Sequence, residues 1–111
     1  MKEKIEFSEF IEIEKKLEIM TGTVISVEDV PKSSKLIKLD VRFGEEVKVV
    51  VTNIKPLLGE SYKEKLNNKS FLFITNLNVT KIMGIESHAM ILPGIDGDNI
   101  TSVSNAGTII L

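Results

Sequence analysis

The stretch from residue 36 to 43, LIKLDVRF, alternates without a break. Ile37, Leu39, Val41 and Phe43 fall on one side, and Lys38, Asp40 and Arg42 on the other. A period of two with one apolar and one charged face marks a half-buried β-strand. Gly44-Glu45-Glu46 follows as a short turn. In the next run, VKVVVT, residues Val47, Val49 and Val51 alternate with Lys48 and Thr52. Two alternating runs joined by so short a turn form a hairpin, so antiparallel sheet is built into the middle of the chain.

The remaining chain is mostly of the same kind. In TGTVISVEDV, residues Thr23, Ile25 and Val27 share a face, and Asp29-Val30-Pro31 closes the strand. Residues 7–18, FSEFIEIEKKLE, could begin as a helix capped by Ser8, although the later part alternates and could equally enter a strand. Pro56, Gly59 and Asn67-Asn68 punctuate the segment 53–69, which has room for a turn or two of helix. SFLFITNL is a strand too apolar to be exposed on both faces. SHAMIL is another, after the interruption at Gly84. PGIDGDN is a turn cluster, and ITSV and TIIL are short final strands. About seven short strands with little helix, at a spacing of roughly ten residues, point to a barrel or sandwich. Its 111 residues suffice for one domain, and no repeat or second domain is visible.

Composition narrows the function. With 42% hydrophobic and 27% charged residues the chain reads as an ordinary soluble globular protein. No apolar run approaches the ~18 residues of a membrane span, and MKEKIEF lacks an apolar signal core, so a cytoplasmic location is expected. The absence of cysteine removes disulfides, thiolate metal sites and cysteine nucleophiles. One histidine, His88, cannot supply a two-histidine metal site. Its neighbour Ser87 points to the opposite face of the expected strand, which rules out the obvious Ser-His pairing. No glycine-rich phosphate loop is present. The expectation is a protein that is not an enzyme and has no metal and no cofactor.

Net charge is -2, but it is unevenly placed. Residues 1–30 carry eight acids and four lysines, residues 31–81 ten bases and five acids, and residues 82–111 three acids and no base. The basic middle is either an ordinary solvated surface or a face for an anionic partner.

The order of motifs resembles the tRNA-binding domain family, which includes a stand-alone tRNA-binding protein, the C-terminal domain of methionyl-tRNA synthetases and the export-related chaperone CsaA. Gly22-Thr23-Val24 is similar to the family's first-strand opening. PKSSKL keeps Pro31, Lys35 and Leu36 of H-P-x-A-D-K-L. Residues Leu39 to Glu46 resemble V-D-x-G-E-E, and Val50 to Ile54 stand where the family has I-V-S-G-I. Asn76-Leu77 matches its N-L, and residues Gly84 to Leu92 stand where it has R-G-x-x-S-E-G-M-L-L. The chain departs from the pattern at Ile19-Met20-Thr21-Gly22, where the family often has L-R-V-G and Met20 stands for the arginine, and at Ser34, where it has Asp. It departs again across Asn78 to Ile82, where Lys81 alone remains of a basic loop, and at His88-Ala89 for E-G.

The resemblance implies an all-β, five-stranded OB-fold barrel with a short helix and extra terminal segments, assembled as a homodimer. Residues 1–18 would be an extension, and 19–111 the barrel with C-terminal dimerisation strands. It implies a tRNA-binding module recognising shape and phosphates, acting in trans or as a β-subunit-like partner of methionyl-tRNA synthetase. The alternative is a CsaA-like chaperone binding peptides on the same face. Lys35, Lys38, Arg42 and Lys48 would line a groove from outward positions of the hairpin, with Lys69 and Lys81 flanking SFLFITNL. Asn76 and Ser87 would hydrogen-bond RNA, and Met90 would pack a base. His88 would add a pH-dependent charge. For Asn76 a turn role, and for Met90 core packing, stand beside these readings. Phe71 and Phe73 are expected in the core.

Overall fold

The alternating run becomes β2 (Ile37–Phe43), and its four apolar residues are all buried. It pairs antiparallel with β3 (Glu46–Thr52) through the two-residue turn Gly44-Glu45. The computed structural model describes residues 1–103 and the backbone of 109–110. β1 (Ile19–Asp29) pairs with β2 on one side and with β4 (Ser70–Ile74) on the other. β7 (Met90–Leu92) pairs with β4, so the path runs β3-β2-β1-β4-β7. The result is a mostly-β chain whose five-stranded antiparallel sheet curls into a half-barrel consistent with an OB fold. The backbone of Ile109–Ile110, β10, extends the sheet beside Ile19 and Met20.

Between β3 and β4 lie two short helices, α2 (Lys55–Leu58) and α3 (Tyr62–Leu66). Leu58, Tyr62 and Leu66 are buried, so these helices plug one end of the curl. Two small hairpins complete the chain. β5 (Thr80–Ile82) pairs with β6 (Ile85–Ser87), and β8 (Gly94–Asp96) with β9 (Asn99–Thr101). The β5–β6 turn is Met83-Gly84, both with positive φ, as a type I′ turn requires. Helix α1 (Phe7–Glu14) buries none of its residues, and its N-cap is Glu6 rather than the expected Ser8.

The core is Val24, Ile37, Leu39, Val41, Val50, Phe71 and Phe73 with their neighbours. Phe43 and Phe73 meet edge to face with centroids 5.2 Å apart. Gly22 lies beneath this pair. A Cβ there would sit 2.6 Å from both Phe43 Cε1 and Val41 Cγ1, so only glycine lets the rings close over β1.

Two strand faces differ from the sequence expectation. In β1 the register shifts between Val24 and Ser26, leaving Ile25 without a partner on β2. This bulge exchanges the faces, so Val24 and Val27 pack on the core and Thr23 and Ile25 do not share their side. In β3 the turn places Glu46 opposite Phe43 and Val50 opposite Leu39. Paired residues share a face, so Lys48 lies on the inward side at the mouth of the curl and Val47 is 50% exposed.

Candidate nucleic-acid interface

The seam of the curl lies between β3 and the segment from β6 to β7. Two hydrogen bonds bridge it. The His88 N–H donates to Val49 C=O at 2.9 Å, and the Val51 N–H donates to Ser87 Oγ at 2.9 Å. Ser87 is 6% exposed, and its hydroxyl in turn faces Ala89 C=O at 3.4 Å. The Ser87 hydroxyl, expected from the sequence to face RNA, is engaged inside the protein, where it joins a loop to β3. His88 faces outward, as strand alternation requires, with Nε2 4.0 Å from a Glu86 carboxylate oxygen.

Asn76 also has an internal task. Its Oδ1 accepts the Glu18 N–H at 2.8 Å, and its Nδ2 donates to Lys16 C=O. Both ends of the amide are thus engaged by backbone groups, as a turn residue's would be. The amide ties the segment before β1 to the exit of β4.

The cations separate into two groups. Lys38 lies on the outer face of β2 with Glu28 at 3.8 Å, and Lys48 lies beside Glu46 at 3.7 Å. Lys48 is thus not on the outward face of the hairpin with Lys38 and Arg42; the turn register excludes it. Lys35, Arg42, Lys69 and Lys81 are exposed, and none has a carboxylate within 4.0 Å among the described residues. Exposed cations without a partner give up little when they meet a phosphate.

A further charged cluster was not anticipated. Asp29, at the end of β1, accepts hydrogen bonds from the Tyr62 hydroxyl and from Lys55 Nζ at 2.9 Å, with Lys63 at 3.9 Å. The hydrogen bond from Tyr62, then that from Lys55, holds the Asp29 carboxyl below its ordinary range. The same carboxylate raises Lys55 and Tyr62 above theirs. Lys55 also lies over the Tyr62 ring, 4.9 Å from its centroid. This cluster clips α2 and α3 to the end of β1.

Two grooves flank the seam. One, of about 760 Å³, has Lys38 and Val49 in its floor and His88 and Glu86 on one wall. The other, of about 470 Å³, is apolar, with Ala89 and Ile91 beneath and Leu77 and Met90 at its rim. Met90 is 53% exposed, so it belongs to this rim and not to the core. Asn53 and Asn78 also line it. Thr52-Asn53-Ile54 and Asn76-Leu77 stood out in the sequence, but nothing there showed that they face each other.

A family model described as "Putative tRNA binding domain" matches residues 19–108. The chain belongs to this tRNA-binding domain family. A methionine–tRNA ligase from Methanospirillum hungatei is 45% identical over 84 residues, which cover 76% of this chain and 12% of that protein. The chain thus spans only about an eighth of the length of that curated relative. A structure titled as a MetRS related protein from Pyrococcus horikoshii superposes with a TM-score of 0.75 at 28% identity, covering 99% of this chain and 100% of that one. The CsaA chaperone protein from Picrophilus torridus shares the fold, with a TM-score of 0.73 at 23% identity over 97% of this chain and 100% of that one. It is the individual side chains that show which positions remain open to a ligand. No helix among the described residues is long and apolar enough to cross a membrane.

Proposed function

We propose that this chain is a non-catalytic, cytoplasmic tRNA-binding module that serves methionyl-tRNA synthetase, in trans or as a β-subunit-like partner. The observation that carries this reading is the set of exposed, unpaired cations Lys35, Arg42, Lys69 and Lys81 on a tRNA-binding fold. They contact phosphates along the backbone, and Lys38, His88 and Met90 add contacts nearer the seam. Lys48, Asn76 and Ser87 support the scaffold. Recognition of this kind follows shape and phosphate spacing more than base sequence.

Binding of unfractionated tRNA measured against salt concentration tests it. Four phosphate contacts give a slope of log K against log [salt] of about -3 to -4. A flat response, or no binding at low salt, would overturn the reading. A second reading, peptide binding by a chaperone, is favoured by the apolar groove with exposed Leu77 and Met90 at its rim. Binding of an unfolded apolar peptide that tRNA does not displace would support it.

The module acts as a homodimer in this reading. Phe7 is 75% exposed and Ile13 55% exposed on α1, and apolar surface of this kind is better covered by a second copy than by water. Sedimentation at micromolar concentration should show a dimer, and a monomer would refute it.

A further inference from the structure

We propose that the 470 Å³ groove between the end of β3 and the β5–β6 hairpin holds one unstacked nucleobase of the bound RNA. The proposal rests on the tRNA-binding reading above and adds a site to it. A nucleobase has two flat apolar faces and an edge of hydrogen-bond donors and acceptors, and single-stranded or splayed RNA presents both. The groove answers each feature. Its floor is apolar, made by Ala89 and Ile91, and Leu77 and Met90 stand at the rim, 44% and 53% exposed.

Its polar lining includes two side-chain amides beside the hydroxyl residues Thr52, Thr80 and Ser87. Asn53 lies on the β3 side, and Asn78 on the loop before β5. Both are exposed, and neither side-chain amide has a hydrogen-bond partner among the described residues. Asn76, two residues away, shows the contrast, because both ends of its amide are used inside the fold. An amide presents a donor and an acceptor side by side and can pair with a base edge through both. A purely apolar side chain in the same place would leave the two amides without partners, which works against it.

Charge supports the same occupant. Lys35 precedes Leu36, which lines the groove, and Lys81 stands between the lining residues Thr80 and Ile82. Neither lysine has a carboxylate within 4.0 Å among the described residues. Strand alternation turns Lys81 to the opposite face of the β5–β6 hairpin, which leaves Lys35, next to Leu36, as the unpaired cation beside the groove for the phosphate of an entering base. The volume falls in the range of about 300–1,000 Å³ typical of small-ligand sites.

The test compares two kinds of variant in the full chain. Affinity for tRNA is measured across salt concentrations for the wild type, for Asn53→Ala with Asn78→Ala, and for Arg42→Ala. The double amide variant should bind about tenfold more weakly at every salt concentration, with the same slope, because a base contact releases no counterions. Arg42→Ala should instead make the slope shallower by about one. In parallel, the side-chain amide resonances of Asn53 and Asn78 are followed by NMR as ribonucleoside monophosphates are added, and they should shift. Wild-type affinity in the double variant, with tRNA still bound, would overturn the base site and leave the tRNA reading standing. Failure of the wild type to bind tRNA would overturn both. Movement of those resonances by an apolar peptide and not by the nucleotides would also overturn the base site, and would make the groove a peptide site.

Discussion

Replacing Ser87 by alanine separates a structural hydroxyl from an RNA-binding one. The hydroxyl accepts the Val51 N–H at 2.9 Å, and Ser87 and Val51 are each 6% exposed. Alanine leaves that N–H buried without an acceptor, at a cost of about 1–3 kcal/mol. A domain of this size is stable by about 5–15 kcal/mol in total. The loss should therefore lower Tm by about 4–20 °C. Thermal unfolding followed by circular dichroism reads the stability, and amide hydrogen exchange at Val51 reads the seam directly. We expect a lower Tm, faster exchange at Val51, and tRNA affinity largely retained well below the transition. An unchanged Tm with a clear loss of tRNA affinity would refute the reasoning, because the hydroxyl would then be acting on the RNA.

Gly22→Ala tests the close approach of Phe43 and Val41 to β1. Overpacking there should cost about 1–3 kcal/mol, seen as a lower midpoint in urea with an unchanged m-value. A midpoint equal to the wild type would mean that the rings shift aside freely. The Asp29 clip predicts a pH dependence. Its carboxyl is held below the ordinary value in the folded chain, so its contribution is present above about pH 4 and is lost as pH falls through the folded value. The stability gap between the wild type and Asp29→Asn should thus be open at pH 7 and narrow at pH 3. A gap independent of pH would show that the hydrogen bonds with Tyr62 and Lys55 do not depend on the charge of Asp29.

Much of the candidate interface was legible in outline. The basic middle of the chain did contain exposed, unpaired cations, Lys35, Arg42, Lys69 and Lys81 among them, and His88 and Ser87 did fall on opposite sides. Reading individual roles was harder, for a specific reason. Ser87 and Asn76 carry hydrogen-bonding groups that could serve either a ligand or the fold. Their partners are 36 residues away at Val51 for Ser87, and 58 and 60 residues away at Glu18 and Lys16 for Asn76. No local pattern distinguishes these uses. Asn53 and Asn78 were overlooked for the converse reason, since an amide left unpaired can be recognised only after its surroundings are known.

From sequence alone, period-two alternation determined that this is a mostly-β chain, which face of β2 is buried, and where its hairpin turns. Those properties depend on neighbours in the chain, and a strand's two faces are set by its own residues. The ordered motifs were enough to indicate the family. Tertiary structure decided the rest. A bulge at Ile25 exchanged the faces of β1, and the register of the Gly44-Glu45 turn put Lys48 on the inner side of β3. The seam between β3 and β7 then brought Asn53 and Asn78 to one groove. Each of these depends on which backbone groups pair across the sheet, and that choice is made only when distant strands compete for the same hydrogen bonds and the same core.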